Sequence, residues 1–279
     1  MKICKLVFLC LSLMLFFSIS AQKSVTLEEI EIVNLGDGQM FGHQKDAKDK
    51  PLEGKLRIIT GYTTEYIDVT FNAGFLEGRW EYFKKNELSE YRTYKNGYLD
   101  GECGELRPNG DRKETGFFKN GKKDGLWTEY YSDEEPKQSD TFVEGDLRKR
   151  VTYYTDGSVE SERNFLNKKE HGQEKHYKWD TKKLTTEKNY ENGKQVGKQM
   201  QYYSSNQNDY IQLSNYSKNG KLDGKYTETY AETGKMKVEG VYKEGKKEGI
   251  WKYGTLKGTV SKEEKYEAGK LTETKKFEN

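Results

Sequence analysis

Aromatic residues and glycines recur at an even spacing along the chain, and mostly polar residues fill the positions between them. In most copies an aromatic residue is followed three positions later by glycine, and successive aromatic residues lie 23 to 26 positions apart. The nine aromatic positions are Phe71, Tyr94, Phe118, Phe142, Phe165, Tyr190, Tyr216, Tyr242 and Tyr266. Because nine copies keep this spacing, the pattern predicts a repeat protein in which each unit is stabilised by its neighbours.

A second glycine follows the first by four residues in six of the units. We predict a structural role for the repeat glycines Gly78, Gly101, Gly125, Gly197, Gly224 and Gly249. Two residues after the second glycine lies a position that we call the ring slot, because it holds Trp80, Trp127, Tyr226 or Trp251. The other units place Cys103, Val151, Glu174 or Gln199 there. Recurring rings at one slot predict a ladder of aromatic side chains along the array.

Each unit has the composition of two β-strands. Asn-Gly and Asp-Gly pairs, as at Asn109-Gly110 and Asp156-Gly157, supply the positive φ that tight hairpin turns need. The segments between these pairs are rich in Tyr, Thr, Val and Trp, which favour strands. The sequence therefore predicts an all-β fold, an elongated single-layer antiparallel sheet of about nine stacked β-hairpin units. At the usual strand spacing such a sheet would be roughly 85 Å long.

The amino terminus has the pattern of a secretion signal. Two lysines in the first five residues precede an apolar run over 6–17, and small residues follow it. We expect cleavage near Ala21-Gln22, which would leave the mature chain secreted, periplasmic or at the cell surface. An uncleaved membrane anchor is the alternative, for which the run is short. The predicted organisation is a signal peptide at 1–21, an N-terminal cap or strand segment at 22–46 and the repeat array at 47–279.

Composition limits the functions that are open to the chain. Of its 279 residues 34% are charged and 33% hydrophobic, which is little apolar surface for one large core, although 13% aromatic residues argue against disorder. Removal of 1–21 takes two of the 48 basic residues and none of the 46 acidic ones, so the predicted mature chain is formally neutral. We therefore expect no nucleic-acid partner and no binding to anionic lipid. No segment after the signal is long and apolar enough to predict a membrane helix.

The cysteine content excludes an internal disulfide in the predicted mature chain. Cys4 and Cys10 belong to the predicted signal, so only Cys103 remains. A single thiol can be reactive or can pair with another chain. Because Cys103 occupies a ring slot, we interpret it as a buried spacer.

The sequence carries no motif typical of a catalytic or metal centre. The histidines are His43, His171 and His176, and the spacing of five between the last two would place them on opposite faces of a strand. A Gly-x-Ser-x-Gly nucleophile motif is missing, and no pair stands out among the abundant carboxylates. We therefore expect no catalytic residues, no metal site, no cofactor and no enzymatic activity.

The fullest copy of the pattern runs from Phe118 to Tyr131 and reads aromatic-x-Asn-Gly-Lys-x-Asp-Gly-x-Trp-x-x-Tyr-Tyr. This pattern resembles the MORN repeat variant of secreted bacterial proteins, a group that includes the family labelled YwqK-like antitoxins. The resemblance covers about 47–279. It implies a chain of β-hairpins and an interaction role, with no known catalytic residues to carry over.

The aromatic ladder is the main candidate for a binding surface. Its possible binding residues are Trp80, Trp127, Tyr131, Tyr226 and Trp251. These rings could stack on sugars or attract cations, or they could only brace their own hairpins. The first functional hypothesis is an exported, non-enzymatic protein-interaction or scaffold module of the cell envelope. The alternatives are a carbohydrate- or cell-wall-binding module and an antitoxin-like neutralising partner, so the expected partner is an unknown protein or an envelope glycan.

Overall fold

The computed structural model describes residues 22–206 and 208–278. Within these ranges the fold is all-β, with one long open sheet of 27 strands and no helix. The described part of the chain accordingly offers no helix that could cross a membrane. The predicted fold class, an elongated single-layer sheet of stacked β-hairpins, is confirmed. The predicted signal peptide at 1–21 lies outside the described residues.

The strands are numbered in chain order, and two-residue strands mark places where a longer strand is interrupted. Their bounds are β1 (Lys23–Thr26), β2 (Ile30–Asn34), β3 (Met40–Gln44), β4 (Ala47–Pro51), β5 (Gly54–Ile59), β6 (Glu65–Asn72), β7 (Phe75–Lys84), β8 (Glu87–Lys95), β9 (Tyr98–Leu99), β10 (Gly101–Leu106), β11 (Arg112–Lys119), β12 (Lys122–Lys123), β13 (Gly125–Tyr130), β14 (Pro136–Val143), β15 (Asp146–Tyr153), β16 (Val159–Leu166), β17 (Lys169–Glu170), β18 (Gly172–Tyr177), β19 (Leu184–Glu191), β20 (Lys194–Gln195), β21 (Gly197–Tyr203), β22 (Tyr210–Tyr216), β23 (Gly224–Tyr230), β24 (Met236–Lys243), β25 (Lys246–Gly254), β26 (Val260–Glu267) and β27 (Lys270–Lys276).

From β5 onward the strands follow one another as an antiparallel meander, so each connection is a hairpin. One pair departs from the predicted antiparallel sheet, because β1 lies parallel to β5 with Val25 opposite Ile58. Parallel neighbours need a long crossover connection, which the residues of β2, β3 and β4 provide here.

Residues 22–46, predicted as a cap segment, form β1 to β3 and pack on the first repeats. The hydrophobic cluster at this end consists of Val25, Ile30, Leu52, Leu56, Ile58, Val69, Phe71, Leu76 and Tyr94. The most enclosed members are Ile58 and Phe71, which are 0% and 1% exposed. This end of the array therefore has a small apolar core, whereas the later units depend on contacts along the sheet.

One side of the ribbon, which we call the glycine rim, is built largely from two-residue hairpin turns. Asn96 and Gly97 have φ of +48° and +81°, and Asn120 and Gly121 have +48° and +76°. Two consecutive positive φ values define a type I′ turn, whose twist matches that of the flanking strands. The Asn-Gly pairs of the sequence therefore act as hairpin turns.

Hydrogen bonds across the glycine rim join most units to the one before. The Gly97 amide donates to the Leu76 carbonyl at 2.8 Å, and the Gly121 amide donates to the Leu99 carbonyl at 2.7 Å. A carboxylate from the preceding unit accepts a second bond, as between the Asn96 amide and Glu77 Oε2 at 2.8 Å. This explains the acidic residue before many second glycines, a role that the sequence interpretation missed because carboxylates are abundant everywhere in the chain.

The second glycines mark bulges in the sheet. The φ values of Gly78, Gly101, Gly125, Gly197, Gly224 and Gly249 are +71°, +131°, +68°, +64°, +103° and +69°. Around Gly125, Phe118 lies opposite Lys123 and Thr115 opposite Thr128, so the two residues of β11 between these pairs face four residues, 124–127, of the adjoining chain. A left-handed backbone and extra residues are typical of bulges, which bend a strand and increase its twist.

Two faces of the sheet can be distinguished by register. Directly opposed residues of antiparallel strands share a face, and the ring slots fall on one line that we call the spine. Val151 is the exception, because it lies opposite Ser139 on the other face and Arg150 occupies the line instead. Pairs along the spine include Trp80 with Arg92, Cys103 with Gly116, Trp127 with Asp140, Asp140 with Arg150, Glu174 with Lys188, Gln199 with Ser214, Tyr226 with Gly240 and Trp251 with Glu264. The opposite side of the sheet is called the outer face below.

Candidate functional site

The two best-buried tryptophans of the predicted ladder lie flat against glycines of the neighbouring strand. A β-carbon at Gly116 would be 2.2 Å from the Trp127 ring, and one at Gly240 would be 2.3 Å from the Trp251 ring. The Nζ atom of Lys123 lies 3.6 Å from the centroid of the Trp127 ring. With Trp127 only 7% and Trp251 only 1% exposed, neither indole has a free face on which a sugar could stack.

The remaining ladder residues also make contacts within the array. Tyr226 is half-buried, and its ring centroid lies 5.4 Å from that of Trp251. Trp80 is half-buried beside Arg92, whose guanidinium carbon lies 5.2 Å from the ring centroid. The Tyr131 hydroxyl donates to the Tyr153 carbonyl of the next unit at 2.9 Å. These contacts match the bracing alternative that the sequence left open.

Tyrosine hydroxyls form a recurring link between successive units that sequence reasoning missed. The Tyr154 hydroxyl donates to the Tyr177 carbonyl at 2.8 Å, in the same manner as Tyr131. The Tyr230 hydroxyl donates to the Gly254 carbonyl at 3.2 Å. The recurring tyrosine at the end of the first strand of several units was the signal that could have predicted this link.

The middle of the spine is polar rather than aromatic. Asp140 is 8% exposed and accepts two hydrogen bonds from Arg150, at 2.8 and 2.7 Å. Glu174, also 8% exposed, accepts from His176 at 2.8 Å and from the Tyr190 hydroxyl at 3.0 Å. Burial disfavours the charge of Glu174, but these two hydrogen bonds outweigh it and lower its pKa. Each buried carboxylate is therefore paired within the chain.

Gln199 replaces a tryptophan in its ring slot but keeps the tryptophan's hydrogen bond. The Trp127 Nε1 donates to the Phe117 carbonyl at 3.0 Å. The Gln199 Nε2 donates to the Asn189 carbonyl at 3.2 Å, and Asn189 is the corresponding residue of its own unit. A polar residue at this slot therefore satisfies the same backbone group without a ring.

The predicted spacer Cys103 is buried, and burial raises the pKa of its thiol to about 11. Beside it lies a cavity of about 330 Å³ that is also lined by Phe118 and Trp127. The described ranges contain no group of three or more His, Cys, Asp or Glu placed to hold an ion.

A second cavity lies at the side of the ribbon opposite the glycine rim, which we call the loop rim. A regular turn there spans five residues, as from Arg107 to Asp111, whose amide-to-carbonyl bond is 2.8 Å. Three consecutive turns are longer, at 178–183, 203–210 and 230–235. They belong to the units whose aromatic positions are 25 and 26 residues apart. The extra residues of these units therefore build the cavity walls.

This loop-rim cavity has a volume of about 560 Å³. Its apolar surface comes from Leu184, Ile211, Leu256 and the two rings of Tyr202 and Tyr230. Its polar surface comes mainly from lysine, threonine and serine side chains, with Asn208, Asp209 and Glu232. Cavities of this size and mixed lining are typical of small-molecule sites.

Hydrogen bonds hold the walls of the loop-rim cavity in place. Asp209 accepts from the Tyr202 hydroxyl and from the Ser205 amide, the latter at 3.0 Å. These bonds, the Tyr202 bond foremost, lower the pKa of the Asp209 carboxyl, and the same contact raises the pKa of the Tyr202 hydroxyl. The Ala231 amide donates to the Asp209 carbonyl at 2.8 Å and so joins two of the three long turns.

The fold and these contacts define an all-β protein of stacked hairpin repeats. No family model matches the chain, and no curated protein matches it. The resemblance to the MORN repeat variant therefore stays a prediction from the residues. Among solved structures, a mutant of S. aureus TarM in complex with fondaparinux, alpha-GlcNAc-glycerol and UDP matches with a TM-score of 0.24 and 14% identity. The match covers 43% of this chain and 21% of that chain, and a likeness this low carries no argument about fold or function.

Proposed function

We propose that this chain is an exported, non-enzymatic repeat protein that serves the cell envelope as a protein-interaction or scaffold module. The observation that carries the proposal is a pair of matched apolar patches on the outer face. Phe117 and Leu126, on neighbouring strands, are 38% and 60% exposed. Val241 and Ile250 occupy the corresponding positions of a later unit and are 46% and 55% exposed. Exposed apolar patches of this kind are typical of protein contacts.

The two patches belong to segments of closely similar sequence. Residues 116–127 and 240–251 are identical at seven of twelve positions, including the glycine beneath the tryptophan and the tryptophan itself. Each segment thus turns its tryptophan to the spine and presents an apolar pair to solvent. Between the patches the outer face carries polar residues such as the exposed Gln173 and Lys198, and one exposed aliphatic residue, Leu213. A long sheet with two equivalent contact points suits a partner that is itself extended or repeated.

The two alternative functions receive less support. A carbohydrate module that stacks sugars on the ladder would need free indole faces at Trp127 and Trp251, which are buried. No observation on the described residues favours an antitoxin-like role. The proposed export rests on the predicted signal at 1–21.

Site-specific photo-crosslinking tests the proposed function. A photoreactive phenylalanine analogue placed at Leu126 or at Ile250 in the native envelope is expected to capture the same partner protein. The matched control is the analogue at Gln173, which lies exposed on the same outer face between the patches. Amino-terminal sequencing of the exported chain should start at Gln22. No adduct at either patch, or equal adducts at Gln173, would refute the proposal.

A further inference from the structure

We propose that the loop-rim cavity binds a neutral oligosaccharide segment. This inference is independent of the proposed protein contacts, because the cavity lies at the turns and uses none of the four outer-face patch residues. It is also independent of the aromatic ladder, whose indoles are not part of the lining.

The placement of the longer turns is the first reason to treat the cavity as a site. The turns at 107–111, 131–135, 154–158 and 255–259 all close over five residues. A six-residue turn also occurs at 60–65, but only at 178–183, 203–210 and 230–235 do three longer turns follow one another, and these three turns line one cavity. Loops positioned by a rigid scaffold are where repeat proteins place their binding residues.

The charges around the cavity point to a neutral ligand. Among the lining residues Lys178 and Lys183 are basic, and Asp209 and Glu232 are acidic. The formal charges of the lining therefore sum to zero, and the lining has no net charge that would select an ion.

The remaining lining suits the two kinds of surface that a sugar presents. Leu256, which is 41% exposed, and the fixed ring of Tyr230 offer apolar area to the C–H face of a pyranose. The half-buried side-chain amide of Asn208 has no hydrogen-bond partner among residues 22–206 and 208–278, so it can bond to a hydroxyl. Trp179, the residue after Lys178 of the lining, is 57% exposed. An exposed indole at this point offers a further stacking surface.

Isothermal titration of residues 22–279 with defined neutral oligosaccharides tests the inference. The probes are chitotetraose, maltotetraose and cellotetraose, and the charged comparison ligands are tetralysine and tetraglutamate. We expect one of the neutral probes to bind at a single site and to change the fluorescence of Trp179, with Trp179→Phe as the assignment control.

Two cavity variants and one matched surface variant complete the test. Leu256→Asp and Asn208→Ala should each weaken binding by about fivefold or more, since each removes roughly one contact. Leu126→Asp places the same charge on the outer face and should leave oligosaccharide binding unchanged while reducing the partner crosslink. Circular dichroism shows whether each variant keeps its strands. Absence of neutral-probe binding, preference for a charged peptide, or affinity unchanged in both cavity variants would overturn the inference.

Discussion

The packing of Trp127 on Gly116 can be measured as a coupling between two substitutions. A β-carbon at position 116 would lie 2.2 Å from the indole, whereas ordinary carbon contacts are at roughly 3.5 Å. Gly116→Ala therefore forces the ring outward by roughly 1.3 Å, which strains the packing by about 1–3 kcal/mol. The same shift breaks the 3.0 Å bond from Trp127 Nε1 to the Phe117 carbonyl, at a cost of about 1 kcal/mol. The expected destabilisation is about 2–4 kcal/mol.

The same substitution should behave differently once the ring is gone. In a Trp127→Ala background nothing obstructs the new methyl group, and alanine is favoured over glycine inside a strand by about 0.5–1 kcal/mol. Gly116→Ala should then be neutral or slightly stabilising, which gives a coupling of about 2–4 kcal/mol between the two sites. Urea titration of residues 22–279, followed by far-ultraviolet circular dichroism for all four chains, measures this coupling.

Gly240 and Trp251 provide a matched pair for the same experiment. Their geometry is equivalent, with 2.3 Å from the added β-carbon to the ring, but the buried Trp251 Nε1 has no hydrogen-bond partner among the described residues. Gly240→Ala should therefore cost about 1 kcal/mol less than Gly116→Ala, because no indole hydrogen bond is lost. Coupling below about 0.5 kcal/mol in both pairs would show that the rings do not depend on the glycines beneath them.

A strained turn, an acidic hydrogen-bond cluster and the free thiol allow three further tests. Lys168 has φ of +63°, and the next unit has Gly193 at the equivalent position. Lys168→Gly should therefore stabilise the array by about 0.5–1 kcal/mol, whereas Gly193→Lys should destabilise it by about 1–2 kcal/mol. Urea titrations measure both changes. Hydrogen bonds, of which the one from Lys262 is the strongest, lower the pKa of Glu264 from 4.5 to about 2. The ionised Glu264 therefore stabilises the fold fully above pH 4.5, and this stabilisation is lost as the pH falls towards 2. The melting temperature should therefore fall less steeply over this window in Glu264→Gln, and equal slopes would contradict this. Burial raises the pKa of the Cys103 thiol from 9.0 to about 11. In folded residues 22–279 this thiol should therefore react with Ellman's reagent about 100-fold or more slowly than in the same chain unfolded in urea. Equal rates would show that the thiol is accessible in the folded state.

The repeat architecture could be predicted because its requirements leave marks on residue type. A type I′ turn needs positive φ, so Asn96-Gly97 is visible in the sequence, and a bulge with a left-handed backbone favours the glycine at 125. Other features leave no such mark. The acceptor role of Glu77 for a turn amide is hidden because most carboxylates of the chain look alike. The parallel pairing of β1 with β5 depends on a long connection rather than on any local pattern.

The candidate site was harder to predict than the fold, for a physical reason. Aromatic residues suggest binding sites, yet a ring that recurs at the same position of several units meets similar neighbours each time and can serve packing. Trp127 and Trp251 follow this logic, since glycine backbone lies beneath each indole and a lysine beside it. The loop-rim cavity instead comes from irregularity, namely the units of 25 and 26 residues. In a repeat protein, departures from the period are therefore a better guide to binding than the period itself.

Two of the three units that enlarge their turns also lack a ring at the spine. Glu174 and Gln199 stand in ring slots directly before the turns at 178–183 and 203–210, whereas Tyr226 precedes the turn at 230–235. Buried ion pairs and amide bonds keep the polar groups satisfied but add less net stability than packed rings. Because each unit is stabilised by its neighbours, the aromatic units can support a weaker middle. The cavity and the polar part of the spine therefore coincide in two units, in which a packed ring is replaced by a polar side chain and the turn is longer.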